Sequence, residues 1–237
     1  MPSTERYAIY FAPAEDAEIW RFGTEWLGRD PATGQTLPQP EVPGLSAQQL
    51  AAATESSRDY GFHATLKPPF HLAEGVGADD LRSAARAFAA ARAPFDAPPV
   101  SVQRIGRFQA FALMAESEEM QRLAADCVRA FDRFRAPPSD AELAKRRARG
   151  LTGRQETNLQ QWGYPYVMEE FRFHMTMLGS THDEALHAAV SAYLQPRASH
   201  FAEQPLRVDA VCLYRQETRS DPFLLVERFA FSAVGEE

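Results

Sequence analysis

Two segments of this chain are variants of one another, so any fold it adopts must accommodate both copies. The stretch Gly61-Phe62-His63-Ala64-Thr65-Leu66-Lys67 returns in kind, nearly half the chain later, as Arg172-Phe173-His174-Met175-Thr176-Met177-Leu178. Behind each comes an alanine-rich stretch with apolar residues at helical spacing. These are Leu81, Ala84, Ala85 and Phe88 within 78–93, and Ala185, Leu186, Ala189, Val190 and Tyr193 within 182–194. Pro94 and Pro196 are expected to close these helices. Two strand-like runs then follow in each half: 100–105 and 108–114 around a tight turn at Gly106-Arg107, and 206–214 and 223–231 around a polar turn at 217–221.

What precedes the motifs also matches. A strand at Tyr7–Phe11 followed by a helix over 16–27 resembles the strand at 108–114 followed by a helix over 118–134. The run 108–114 thus serves twice, and the strands cannot be assigned one by one to a half. The connections to the motifs are a Pro/Gly-rich loop over 30–43 and a helix over 139–161 after Pro137-Pro138. Strands able to pair as hairpins beside helices predict an α+β fold with two mainly antiparallel sheets flanked by helices. The duplication adds an expected pseudo-two-fold relation. Residues 1–237 should form a single bilobal domain, with the first motif near 61–67 and the second near 172–178 facing one another in a groove.

A strand shows alternate side chains on one face. His63 and Thr65 should therefore point the same way, with Gly61 and Lys67, and so should His174 and Thr176, with Arg172. Facing lobes would bring two imidazoles, two hydroxyls and two cations into one cleft. Phosphodiester cleavage requires that set: a base for the attacking water or hydroxyl, an acid for the departing oxygen, and donors for the charged phosphate oxygens. Histidine can serve as either acid or base near neutral pH. Thr65, Thr176, Lys67 and Arg172 are the candidate donors, with no metal required. Tyr164 and Tyr166, upstream of the second motif, would stack on a base or bond a phosphate, or equally pack half-buried. One His-x-Thr says little, because both residues are common in half-buried strands. Two in a repeated frame, each with a Phe before the His, say far more. His71, His182, His187 and His200 share no such pattern, and surface or capping roles are expected for them.

The composition is that of a globular chain, 45% hydrophobic and 24% charged. A net charge of −7 argues against a general grip on nucleic-acid backbone, while leaving room for a small phosphorylated ligand. Residues 1–13 read as a strand rather than a signal peptide, and no stretch approaches the ~20 apolar residues of a membrane span. Cys127 and Cys212 fit buried, reduced core positions, so a cytoplasmic protein is expected. No Walker A, Rossmann, HExxH or paired-cysteine pattern occurs, which suggests neither a cofactor nor a metal site. The basic run Lys145, Arg146, Arg147, Arg149 and Arg154 reads first as a solvated helical face. The alternative is that one or two of these side chains line the cleft and hold a second phosphate.

His63-Ala64-Thr65-Leu66 and His174-Met175-Thr176-Met177 resemble the paired His-x-Thr/Ser-hydrophobic signature of the 2H phosphoesterase superfamily. That resemblance implies a bilobal fold and metal-free catalysis by His63 and His174, often on cyclic phosphates. Arg6–Pro13, Trp26-Leu27-Gly28-Arg29-Asp30 and Trp162-Gly163-Tyr164-Pro165-Tyr166 are similar to the branch associated with phosphonate-utilisation gene clusters. For that branch a cyclic phosphate of ribose, an intermediate of carbon–phosphorus lyase metabolism, is a chemically suitable substrate. Two rivals stand beside this reading. One is a metal-dependent phosphohydrolase using His63 and His174 as ligands, for which only Glu169-Glu170 offers nearby carboxylates. The other is a non-catalytic protein that binds phosphorylated sugars or nucleotides.

Overall fold

The computed structural model describes residues 4–148 and 150–233; Arg149 of the basic run lies outside the described residues. The elements, in chain order, are β1 (Arg6–Phe11), α1 (Glu18–Leu27), α2 (Ala47–Tyr60), β2 (Ala64–Phe70), α3 (Ala78–Ala90), β3 (Phe95–Ala97), β4 (Val100–Ile105) and β5 (Phe108–Leu113). They continue with α4 (Glu118–Phe131), α5 (Asp140–Arg147), α6 (Gly153–Trp162), β6 (Met175–Leu178), α7 (Glu184–Ala198), β7 (Leu206–Val208), β8 (Ala210–Gln216) and β9 (Leu224–Ala230). Seven strands form one sheet in the order β4-β5-β6-β2-β1-β8-β9, while β3 pairs with β7. Every pairing is antiparallel, as expected for an α+β chain built from hairpins.

The sheet order explains why one strand served twice in the sequence comparison. The first copy runs from β1 to β4 and the second from β5 to β8, with β9 added at the edge. In the sheet, β1 and β2 lie beside β8 of the second copy, while β5 and β6 lie beside β4 of the first. Each copy lends its last strand to the other half. The equivalent short strands β3 and β7 pair with each other, as a two-fold relation requires. The two motif strands, β2 and β6, are neighbours joined at Ala64↔Met175. The copies therefore meet side by side on one sheet.

Local chemistry accounts for the elements. Phe62 and Phe173, which precede the two histidines, are buried, and Phe62 packs edge-on against Phe111 of β5. Each burial stabilises the fold by about 1.5–3 kcal/mol and anchors the chain just before its histidine. Gly23 of α1 makes room for this, because a Cβ there would lie 2.3 Å from the Phe62 ring. Cys127 and Cys212 are both buried and unpaired. Among the described residues no helix is long and apolar enough to cross a membrane.

Several boundaries differ from the sequence reading. The helix α2 was not expected, although Ser46 and Gln49 form a capping box that announces it. The stretch 139–161 is two helices rather than one, divided near Gly150, whose φ of 72° is a left-handed conformation suited to glycine. Pro196 does not close α7, which runs to Ala198. It sits in the last turn, where its missing N–H costs a single helical bond.

Candidate active site

In β2 and β6 the paired residues Ala64 and Met175 share one face. By alternation the flanking His63, Thr65, His174 and Thr176 share the other. Residues opposite one another on neighbouring strands lie about 4.5–5.5 Å apart and diagonal ones about 7–8 Å. The two imidazoles and two hydroxyls thus form one compact patch.

The two rings are held in the same way. His63 Nδ1 lies 2.9 Å from the carbonyl of Gly61, and His174 Nδ1 lies 2.7 Å from the carbonyl of Arg172. A carbonyl only accepts, so in each neutral ring Nδ1 carries the proton and Nε2 keeps its lone pair. The Thr65 hydroxyl, 3.2 Å from His63 Nε2, donates to that lone pair. Gly61 sits at φ 80° and a Cβ there would come within 2.7 Å of Pro31, so this carbonyl is presented by a turn that excludes a side chain.

Burial pushes the His63 pKa down to about 4, opposed by the Gly61 carbonyl and reinforced by the positive charge of His174. Burial also lowers His174, against the opposing Arg172 carbonyl. Both rings are neutral at neutral pH in the free protein.

The walls differ between the two copies. Tyr10 stacks on His63 with centroids 3.8 Å apart, and Tyr214 packs 5.0 Å from Tyr10. Both phenols are fully buried, and among the described residues neither hydroxyl has a hydrogen-bond partner. Burial raises both well above the usual phenol range, so both remain protonated donors. His174 has Phe108 beside it, at 5.2 Å. Tyr10 and Thr65 also line a cavity of about 300 Å³ whose rim carries Arg6, Lys145, Arg146 and Arg219. Larger hollows, of about 720 and 860 Å³, contain neither motif.

The predicted site residues fall into three groups. His63, Thr65, His174 and Thr176 converge on the patch. Arg172 is exposed at its edge and contributes its carbonyl to His174. Lys67 does not share the face of Thr65. Tyr10 pairs with Thr65 but Ile9 pairs with Lys67, a one-residue slip that turns Lys67 to the opposite face. There it is 1% exposed, 3.1 Å from Asp132 and 3.3 Å from the carbonyl of Val128 on α4. Burial lowers its pKa to about 8, against the attraction of Asp132. Tyr166 is exposed and packs edge-on against Tyr164, and it is Tyr164 that lines the cavity.

The basic run is more than a solvated face, because Lys145 and Arg146 reach the cavity, while Arg147 pairs with Glu156 at 2.7 Å. Among the other histidines, His187 is buried and bonded to Gln109 rather than at the surface. Arg6, Tyr10 and Tyr214 were not singled out from the sequence. The signal available was the alternation that puts Ala8 and Tyr10 on the same face of β1. Glu170 accepts a hydrogen bond from Gln155, and among the described residues no three His, Cys, Asp or Glu side chains cluster as a metal site would need.

Comparison with known proteins adds relatives and a family. The chain is 41% identical over 241 residues to ribose 1,5-bisphosphate phosphokinase PhnN of Janthinobacterium sp. (strain Marseille), covering 99% of this chain and 52% of that protein. It is 33% identical over 196 residues to the protein of the same name from Laribacter hongkongensis (strain HLHK9), covering 83% and 44% respectively. The chain thus spans about half the length of the curated relatives it matches. Among solved structures, E. coli LigT complexed with 3'-AMP aligns over 98% of this chain and 100% of its own, at 13% identity and a TM-score of 0.40. TT0787 of Thermus thermophilus aligns over 96% and 98%, at 16% identity and a TM-score of 0.44. The family described as "Protein of unknown function (DUF1045)" matches residues 65–224, well over half of the sequence, and the chain belongs to that family.

Proposed function

We propose that this chain is a phosphoesterase of the 2H type that hydrolyses a small cyclic phosphodiester to a phosphomonoester without a metal ion. The observation that carries this reading is the pairing Ala64↔Met175, which sets both His-x-Thr motifs on one face of adjacent strands. In the reaction, one neutral imidazole takes a proton from water through Nε2 as the water oxygen bonds to phosphorus. The bond from phosphorus to one ester oxygen breaks, and the other imidazole, protonated, gives that oxygen its proton. Thr65 and Thr176 donate to the non-bridging oxygens, and Arg172 adds positive charge from the rim. Each proton-transfer partner contributes about 10²- to 10⁴-fold.

The relatives favour a ribose phosphate. Opening the 1,2-cyclic phosphate of 5-phosphoribose at the oxygen on C2 leaves ribose 1,5-bisphosphate, the compound for which the matched kinases are named. A domain accompanying such a kinase would then supply its substrate, in keeping with the phosphonate-cluster resemblance. The absence of a third metal-binding side chain near the histidines among the described residues weighs against the metal-dependent rival. The test is a panel of cyclic phosphates followed by phosphorus NMR, with and without EDTA. Turnover that survives chelation is expected. Activity lost to EDTA and restored by a divalent ion would favour the metal hydrolase, and no turnover on any member would leave a binding protein.

A further inference from the structure

The cavity beside Thr65 gathers positive charge on a chain whose net charge is −7. Four cations, Arg6, Lys145, Arg146 and Arg219, surround about 300 Å³, with Glu142 as the carboxylate on its lining. Glu142 is engaged by Arg219 at 2.7 Å. Arg6 differs from the rest. It is only 9% exposed, its guanidinium bonds the neutral amide oxygen of Gln216 with Nε at 2.7 Å, and its face lies 5.2 Å from the Phe223 ring. Among the described residues no ion pair to Arg6 is found. A buried cation is ordinarily paired, because leaving water costs several kcal/mol that only an anion or a full set of hydrogen bonds offsets. Tyr10, on the same lining, adds a buried hydroxyl with no partner among the described residues.

The element that completes the cavity is α5, which has no buried residue and carries Glu142, Lys145 and Arg146. It is tied down by polar contacts: Arg219 to Glu142, Arg147 to Glu156, and Arg146 over the Tyr164 ring at 4.6 Å. Such a helix is held in place without dry packing, and it sets Lys145 on the cavity lining.

We propose that this cavity is a subsite for a second phosphate, a phosphomonoester dianion carried by the same substrate molecule whose reacting phosphate lies between His63 and His174. The proposal rests on the phosphoesterase reading and extends it. The substrate class becomes a doubly phosphorylated small molecule, with Arg6 as the fixed contact and Lys145 as the contact delivered by α5. Thr65, which touches both His63 and the cavity, marks where the two phosphate positions adjoin.

The test is calorimetric binding of ribose 5-phosphate and of ribose to the full chain carrying His63→Ala and His174→Ala, so that binding at the reaction centre is not counted. Ribose 5-phosphate should bind at least ten-fold more tightly than ribose. Lys145→Glu should weaken it about ten-fold, and Arg6→Gln by more. Lys145 lies on a helix without buried residues, so that variant decides the matter even if Arg6→Gln fails to fold. Equal binding of the two sugars, or ribose 5-phosphate binding unchanged by Lys145→Glu, overturns the subsite. In the unmutated chain, kcat/KM for cyclic phosphates with and without the distal phosphate separates the two ideas. Turnover without discrimination defeats the subsite alone. Charge-dependent binding in a chain that hydrolyses no cyclic phosphate defeats the phosphoesterase reading alone.

Discussion

An anion bound at the motif patch should change the protonation of the histidines that hold it. In the free protein burial keeps His63 neutral down to about pH 4. A phosphodiester oxygen about 4 Å from the ring, at an effective dielectric of about 20, stabilises the imidazolium by about 4 kcal/mol. That is about three pH units of upward displacement, bringing the midpoint near 7. The substrate would in this way recruit its own general acid. Linkage sets the sign: the protonated ring binds the anion more tightly, so affinity rises as pH falls between the bound and free midpoints, by up to about ten-fold per pH unit. Above about pH 7 the ring is neutral in both states, and below about 4 it is charged in both, so the dependence vanishes at either end. Dimethyl phosphate is a suitable probe because it keeps a single negative charge across this range. Ring NMR of His63 and His174, assigned with the two alanine variants, should show at least one midpoint moving up by two pH units or more at saturation. Midpoints within half a unit of the free values, with binding otherwise demonstrated, would refute the argument.

Turnover of a cyclic phosphate should fall about 10²-fold or more in His63→Ala and in His174→Ala, and less in Thr65→Ala and Thr176→Ala, each of which removes one neutral donor. Steady-state kinetics would check this, and wild-type rates in both histidine variants would end the two-histidine mechanism. Lys67→Met should retain turnover within a few-fold and leave stability equal or higher, whereas Asp132→Ala should cost about 3 kcal/mol by stranding a buried ammonium. Urea titrations at neutral pH read both, and a catalytically dead Lys67→Met would contradict the bulge that turns it inward. Because the folded His63 pKa lies below that of an unfolded histidine, the unfolded chain binds more protons between about pH 6.5 and 4. Stability should therefore fall as pH drops through that window, by at most about 3 kcal/mol from this ring, and His63→Ala should flatten that part of the curve.

The repeat was legible because hydrophobic spacing and motif identity survive in one dimension. That 63 shares a face with 65, and 174 with 176, followed from alternation alone. Lys67 shows where alternation fails: a slip between the Ile9 and Tyr10 pairings turns it to the opposite face, and a second slip between the Tyr7 and Ile9 pairings restores the phase by Phe70. Pro68-Pro69 was the available mark of an irregular strand, but a proline pair does not say at which residue the slip falls. The exchange of β4 and β8 was hidden for another reason. Two equivalent last strands can stay with their own copy or trade places with the same sequence pattern, and only the long-range pairings decide. Two of the cavity cations, Lys145 and Arg146, were visible in a basic run, but a run says nothing about which turn of a helix faces inward. Arg6 and Tyr10, on a strand read mainly for its hydrophobicity, carried no such signal.

The approximate symmetry of the fold makes its departures informative. Tyr10 pairs with Thr65 in one copy, and Ala110 pairs with Thr176 in the other, so these two positions are equivalent. One copy thus sets a buried aromatic stack against its histidine where the other has a methyl group. Both imidazoles keep the same backbone anchor two residues upstream, which preserves the proton chemistry on each side. The surroundings were free to diverge because neither anchor uses a side chain other than the histidine itself. Arg6 and α5 lie at the cavity that opens beside Tyr10 and Thr65, so the charge of this cavity lies on the His63 side. A symmetric substrate would gain nothing from such an arrangement. One with a reacting phosphate at the centre and a second charged group on one side would be bound in a single orientation, and that orientation decides which histidine faces the leaving oxygen.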